Sequence, residues 1–170
     1  SRLNYGGREY LDQPLELNLW RAPTDNDRYI REEWKRARYD QAYARAYGTR
    51  ILEEGVSVKL FSRISLAAAS VQPMMSVDAV WTIDCHGRIG VSLQVHRNPE
   101  YPELPRFGLR LFLNESFDQV SYYGMGPYES YRDKHRASCH GLYHGLVADM
   151  QEDYIYPQEN GSHMDCDYVT

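Results

Sequence analysis

VDAVWTIDCHGRIGVSLQV, Val77 to Val95, reads as two alternating runs joined by a tight turn. Val77, Ala79, Trp81 and Ile83 fall on one side of an extended chain, His86-Gly87 supplies a hairpin, and Ile89 to Val95 repeats the alternation. Side chains of a strand point alternately to its two faces, so this pattern is an antiparallel pair with one face toward a core. The same texture extends backward through Val56 to Ser65 and begins near Tyr43. Glu54-Gly55, Gln72-Pro73, Cys85-His86-Gly87 and Asn98-Pro99 punctuate it as turns. Downstream, Phe107, Leu109, Leu111 and Leu113 read as another inward row. Val120 to Tyr123 is a short strand ending at Gly124, and Leu142 to Val147 is a brief extended piece. Upstream, Leu15, Leu17 and Leu19 alternate with Glu16, Asn18 and Trp20.

One stretch breaks the pattern. Pro23 and the Asp25-Asn26-Asp27 cluster cannot continue a ladder but suit tight loops and helix starts, and Asp27 is a candidate N-cap. Beyond it, Tyr29 to Tyr39 places Ile30, Trp34 and Ala37 on one helical stripe. Many strands and one short helix near residues 29–39 predict an all-β fold, a large antiparallel β-sandwich, with 1–170 forming a single domain.

The bulk properties exclude several classes of function. The 170 residues suffice for a real core, and 42% hydrophobic with 25% charged residues is ordinary for a globular chain. A net charge of −5 offers nothing to a phosphate backbone, so nucleic acid is not an expected partner. The densest basic stretch, Arg31 to Arg38, carries its own Glu32 and Glu33, which helical spacing sets against Arg36. No apolar run approaches the ~20 residues of a membrane span. Three cysteines, Cys85, Cys139 and Cys166, lack ligand spacing and fit reduced thiols better than a disulfide framework. With no signal pattern at the start, they point to the cytoplasm, with the periplasm as the alternative. Fifteen tyrosines suit both half-buried sheet surfaces and wet binding surfaces.

Three polar segments exceed what scaffolding needs: WRAPTDND from Trp20 to Asp27, YYGMGPYESYRDKHRAS from Tyr122 to Ser138, and DYIYPQENGSHMDCDYV from Asp153 to Val169. In the first, Arg21 with Asp25, Asn26 and Asp27 could form charge-assisted pairs among themselves or bind a hydroxyl-rich ligand. It lacks the central Gly and closing Glu of a calcium hand. In the second, Glu129, Tyr131 and Asp133 would share one side if the chain were extended. In the third, Glu159 and Asn160 stand beside Tyr154 and Tyr156, a chemistry fitted to sugar hydroxyls and ring faces. His135, His140 and His144, with Cys139, His163 and Cys166, have poor zinc spacing, and Gly141 opposes a helix that would align His140 with His144. No phosphate loop, dinucleotide fingerprint or nucleophile elbow is present.

Together these three segments resemble the small-chain, C-terminal β-sandwich domain of bacterial family 2 β-galactosidases, and the resemblance covers nearly the whole chain. It implies a galactose-mutarotase-like supersandwich, of which 1–170 is the N-terminal part. It also implies an accessory role in a parent enzyme that hydrolyses terminal β-D-galactosides such as lactose with retention. The catalytic glutamates of that family lie in a (β/α)-barrel outside this sequence, so no residue here is expected to be catalytic and the chain alone should be inactive. Arg21, Asp25, Asn26, Asp27, Glu129, Tyr131, Asp133, Glu159 and Asn160 become candidates for substrate-adjacent or domain-interface positions. The implied partners are the catalytic barrel and other parental domains, galactosides, and further copies in a homo-oligomer. No metal or other cofactor is expected in this chain, the parent's divalent and monovalent cations being bound elsewhere. Two alternatives stand beside this reading: a self-standing carbohydrate-binding module, and a mutarotase-like epimerase.

Overall fold

The computed structural model describes residues 2–170. Its strands are β1 (Asn4–Tyr5), β2 (Arg8–Glu9), β3 (Leu11–Asn18), β4 (Tyr43–Glu54), β5 (Ser57–Ala67), β6 (Met75–Asp84), β7 (Ile89–Arg97), β8 (Gly108–Leu113), β9 (Gln119–Gly126), β10 (Cys139–Leu146) and β11 (Tyr168–Val169). The one α-helix among the described residues, α1, spans Arg31–Ala37. Strand occupies 46% of the chain and helix 12%, so the fold is all-β, with the antiparallel sheets a β-sandwich requires. Contacts divide the chain into two units. One holds the described residues up to Leu15 with Ala22–Arg28 and Leu111–Thr170, and the other holds Glu16–Arg21 and Tyr29–Arg110.

The second unit is a meander of four strands in the order β4-β5-β6-β7. Its turns fall at the predicted signals. Gly55 and Gly87 take φ of 59° and 78°, and Asp84 Oδ1 accepts the amides of His86 and Arg88 at 2.8 and 2.9 Å to close the β6–β7 hairpin. Register sets Ile64, Val77 and Val95 side by side, then Leu60, Trp81 and Val91, giving one apolar face. Burial along that face is graded. Met75, Val77 and Ala79 are fully covered, whereas Ile83, Ile89 and Val91 are about as exposed as edge residues, so the predicted alternation is correct but only its first half is core.

The cover comes from α1. Trp34 is 3% exposed and packs in one cluster with Leu19, Tyr39, Leu66, Met74 and Met75, with Ile30 and Ala37 against it, as the helical stripe predicts. Trp34 Nε1 donates to the Glu103 carbonyl at 2.9 Å and the Tyr39 hydroxyl to that of Pro102 at 2.7 Å, so both rings bury their polar tips with partners. Arg38, at φ 57°, ends the helix, its amide returning to the Lys35 carbonyl. Within the helix Glu32 pairs with Lys35 at 3.3 Å and Arg31 at 3.7 Å, and Glu33 lines one recess with Arg36, the facing that helical spacing predicts.

Two sequence expectations fail in detail. The row Phe107, Leu109, Leu111, Leu113 is inward only at its start: Phe107 packs against the apolar cluster and Leu109 is half-buried, whereas Leu111 and Leu113 are each 52% exposed with a half-buried Phe112 between them. Among the described residues strand β8 pairs with β3 alone, and because the faces of a strand are buried by a packed layer and not by a ladder neighbour, its alternation does not guarantee cover. Asp27 does not cap α1, whose N-cap is Ile30; it belongs instead to a one-turn 3-10 helix, Asp25–Asp27.

Candidate functional site

All three polar segments send residues into the first unit, which is organised on β9. Strand β10 pairs along one edge of β9 and β11 along the other. Gly124 and Gly126 let neighbours close onto that strand: a Cβ at Gly124 would stand 2.5 Å from Cys166 Sγ and 2.9 Å from Cys166 Cα, and one at Gly126 would collide with the Tyr122 hydroxyl and the Tyr143 ring. The strand ends in a cis Gly126-Pro127 peptide, and the chain turns away through Tyr128.

Glu129 comes next and is 3% exposed. An ionised carboxylate is costly to bury unless it is paired and hydrogen-bonded. Here Oε1 accepts from Lys134 Nζ at 3.2 Å, and Oε2 from the Gly161 amide at 3.1 Å. Lys134 also donates to the Tyr154 hydroxyl at 2.8 Å, with its ammonium 5.1 Å from that ring, and lies 4.0 Å from Glu152. One buried acid thus ties the Gly-Pro loop to the loop around Gly161, whose φ of 68° suits glycine. Ser130, fully buried, repeats the tie: its amide donates to the Ser162 carbonyl at 2.7 Å and its Oγ accepts from the Met164 amide at 2.8 Å. The Tyr131 hydroxyl donates to Gln158 Oε1 at 3.1 Å, and burial, followed by the nearby Glu129 charge, raises its phenol above the usual range.

The first segment joins them. Asp27 Oδ2 accepts from the Thr24 amide at 2.7 Å and the Thr24 hydroxyl at 2.9 Å, a capping box on the 3-10 turn. The Asp25 amide donates to the Pro157 carbonyl at 2.8 Å, and Asn26 Nδ2 to Asp133 Oδ2 at 2.8 Å. Asn160 closes its own loop, exchanging hydrogen bonds with the Glu152 backbone at 2.6 and 3.0 Å, and Glu159 Oε2 accepts from Ser162 Oγ at 2.9 Å.

Eight of the nine sequence candidates therefore belong to one hydrogen-bonded unit: Asp25, Asn26, Asp27, Glu129, Tyr131, Asp133, Glu159 and Asn160. Arg21 belongs to the other, where its guanidinium lies 5.3 Å from the Trp34 ring. Glu129, Tyr131 and Asp133 do not share a side. The chain bends and turns through 127–134, so Glu129 is buried, Tyr131 half-buried and Asp133 exposed. Sequence reasoning passed over Lys134 and Ser130. A lysine five residues from a glutamate in a loop carries no periodic signal, and only a partner for a buried Glu129 could have identified it.

The histidines have separate uses. His140 Nε2 bonds the Asp165 carbonyl at 3.1 Å, His144 Nδ1 the Ser121 hydroxyl at 2.7 Å, and His163 Nδ1 the Met125 carbonyl at 3.1 Å. Among the described residues no three His, Cys, Asp or Glu side chains converge as metal ligands. Chemically, the unit is built to hold loops in fixed positions; both oxygens of its one fully buried carboxylate are already engaged.

Comparison with known proteins gives a consistent answer. Residues 1–170 match the family described as the beta galactosidase small chain. The chain is 41% identical over 99% of its length to a β-galactosidase of Actinobacillus pleuropneumoniae, covering 17% of that protein. It is 38% identical over 94% of its length to one of Staphylococcus xylosus and 35% over 94% to one of Lactobacillus delbrueckii subsp. bulgaricus, covering 16% of each.

Proposed function

Because the chain belongs to the β-galactosidase small-chain family, we propose that it acts as an accessory β-sandwich domain, single over 1–170, of a retaining β-galactosidase. The observation that carries this reading is the convergence of the Ala22–Arg28, Gly124–Lys134 and Tyr154–Gly161 loops on one unit through Glu129, Asp133 and Pro157. Rigid loops of this kind position side chains for a neighbouring reaction centre. Asp25, Asn26, Asp133 and Asn160 supply exposed groups at that surface, Asp27, Tyr131 and Glu159 brace it, and Glu129 anchors it. Arg21 serves as an interface residue of the other unit.

The partners are the catalytic barrel and remaining domains of the parent, which assembles as a homo-oligomer and acts on terminal β-D-galactosides. Retaining hydrolysis needs two carboxyl groups roughly 5 Å apart, one as nucleophile and one as acid/base. Glu129, held by Lys134 and Gly161, serves neither role. The cytoplasm is the compartment that three exposed free thiols favour.

The test is a transplant. The chain replaces the matching segment of the Actinobacillus pleuropneumoniae enzyme, and hydrolysis of a chromogenic galactoside is followed alongside that by the isolated chain. The chimera is expected to be active, the isolated chain inactive, and Asn160→Ala in the chimera to raise KM. Turnover by the isolated chain at enzyme-like speed, lost on replacing Glu129 or Glu159, would overturn the reading.

A further inference from the structure

Asn160-Gly161 is the one Asn-Gly dipeptide of the sequence; Asn4, Asn18, Asn26, Asn98 and Asn114 are followed by Tyr, Leu, Asp, Pro and Glu. The pairing matters chemically, because glycine lacks the Cβ that would shield its backbone nitrogen from the asparagine side chain before it. Both residues are exposed, so water reaches them. The fold nonetheless restrains both groups that would react. The Gly161 amide donates to Glu129 Oε2 at 3.1 Å, and Glu129 is itself buried and held by Lys134. The Asn160 side-chain amide is fixed by the Glu152 backbone, through bonds of 2.6 and 3.0 Å.

We propose that Asn160 is a self-modification site, converting spontaneously to aspartate and isoaspartate at a rate set by the Glu129–Gly161 hydrogen bond. Hydroxide takes the Gly161 amide proton, that nitrogen bonds to Asn160 Cγ, and Nδ2 leaves as ammonia with a proton from water, closing a cyclic imide. Water then opens the imide at either carbonyl, breaking one C–N bond and returning a proton to the nitrogen. Opening at Cγ gives aspartate, and opening at the backbone carbonyl gives isoaspartate. The sum is amide plus water to acid plus ammonia, with nothing oxidised or reduced. Glu129 is the latch and not the base: a carboxylate gives up its proton in acid and is far too weak to take one from an amide, whereas its hydrogen bond pins the nitrogen in place. Reaction therefore waits for a local opening that frees Gly161 and detaches Asn160 from Glu152. The change runs one way. A carboxylate at position 160 has no hydrogen to give the Glu152 carbonyl, so the loop cannot close again as before. The reaction needs no ligand or neighbouring domain and is independent of the accessory role.

The experiment is incubation of the chain at mildly alkaline pH and physiological temperature, followed by peptide mapping with mass spectrometry and enzymatic methylation of isoaspartate. Conversion is expected at Asn160 and at none of the other five asparagines. It should be at least about tenfold slower in the folded chain than in the urea-unfolded chain, because a hydrogen bond to a charged acceptor must first break. Glu129→Gln, which leaves only a neutral acceptor, should raise the folded rate about tenfold. Should that variant not fold, the wild-type chain decides: in sub-denaturing urea, conversion at Asn160 and hydrogen exchange of the Gly161 amide should accelerate in the same proportion. No conversion at Asn160 in the folded chain, equal rates in folded and unfolded chains, a folded Glu129→Gln chain that converts no faster than wild type, or conversion that ignores Gly161 exchange would each overturn the proposal.

Discussion

The unit built on β4 to β7 and the unit built on β9 are held together by different physics. In the first, Trp34, Tyr39, Leu66, Met74, Met75 and Val77 are all 3% exposed or less, and cohesion comes from apolar area removed from water. In the second, Glu129, Ser130 and Ser138 are buried, and long connections are held by hydrogen bonds running from side chain to backbone. Apolar packing tolerates small shifts, because it has no preferred direction. A network of directed bonds does not, and a surface that must present side chains at fixed positions is better built from the second kind.

The contrast can be broken by mutation. Trp34→Ala should have the largest effect, about 4 kcal/mol in urea denaturation, because it removes the largest ring of the apolar cluster and leaves a cavity. Glu129→Ala should cost about 3 kcal/mol by leaving Lys134 half-buried without its main counter-charge. Its signature should be local: in hydrogen exchange the Gly161 amide should lose protection while β5 and β6 keep theirs. Equal loss in both units would mean the two kinds of cohesion are not separate.

A pH series sharpens the same point within the apolar unit. Burial pushes the Tyr39 phenol from its ordinary 10.0 up to about 12. A group whose folded pKa is raised stabilises the fold fully below its unfolded value and loses that contribution as pH rises through the folded one. Urea midpoints should therefore be insensitive to this group below pH ~10 and fall between ~10 and ~12, and Tyr39→Phe should flatten that decline. The smallest effect expected is from Asp27→Ala, about 1 kcal/mol in the same denaturation assay, through loss of the capping box on Thr24.

What could be read from the chain tracks this division. Strands β5, β6 and β7 and the stripe Ile30, Trp34, Ala37 announce themselves because sheet and helix burial are periodic, and Gly55 and Gly87 because their turns require positive φ. The three polar segments were visible as departures from period. Their wiring was not. Asn26 meets Asp133 across 107 residues and Glu129 meets Gly161 across 32, and no local pattern encodes contacts at that separation. The inward row assigned to Leu111 and Leu113 failed for a related reason: alternation shows that a strand has two different faces but not whether anything covers either.

The two bare positions on β9 have a consequence for how such a domain can change over time. Backbone and side-chain atoms of Cys166 occupy the space above Gly124, and the Tyr122 hydroxyl with the Tyr143 ring that above Gly126, so neither site has room for even a methyl group. In a saturation library both codons should come through selection unchanged, whereas Gly6, Gly48 and Gly108, with open space around them, leave room for a methyl group and differ mainly in their backbone angles, Gly6 alone lying at positive φ. Drift in this strand is therefore channelled away from the two glycines, and a lineage that lost either would first have to move what lies across it, the Cys166 segment in one case and two tyrosine side chains in the other.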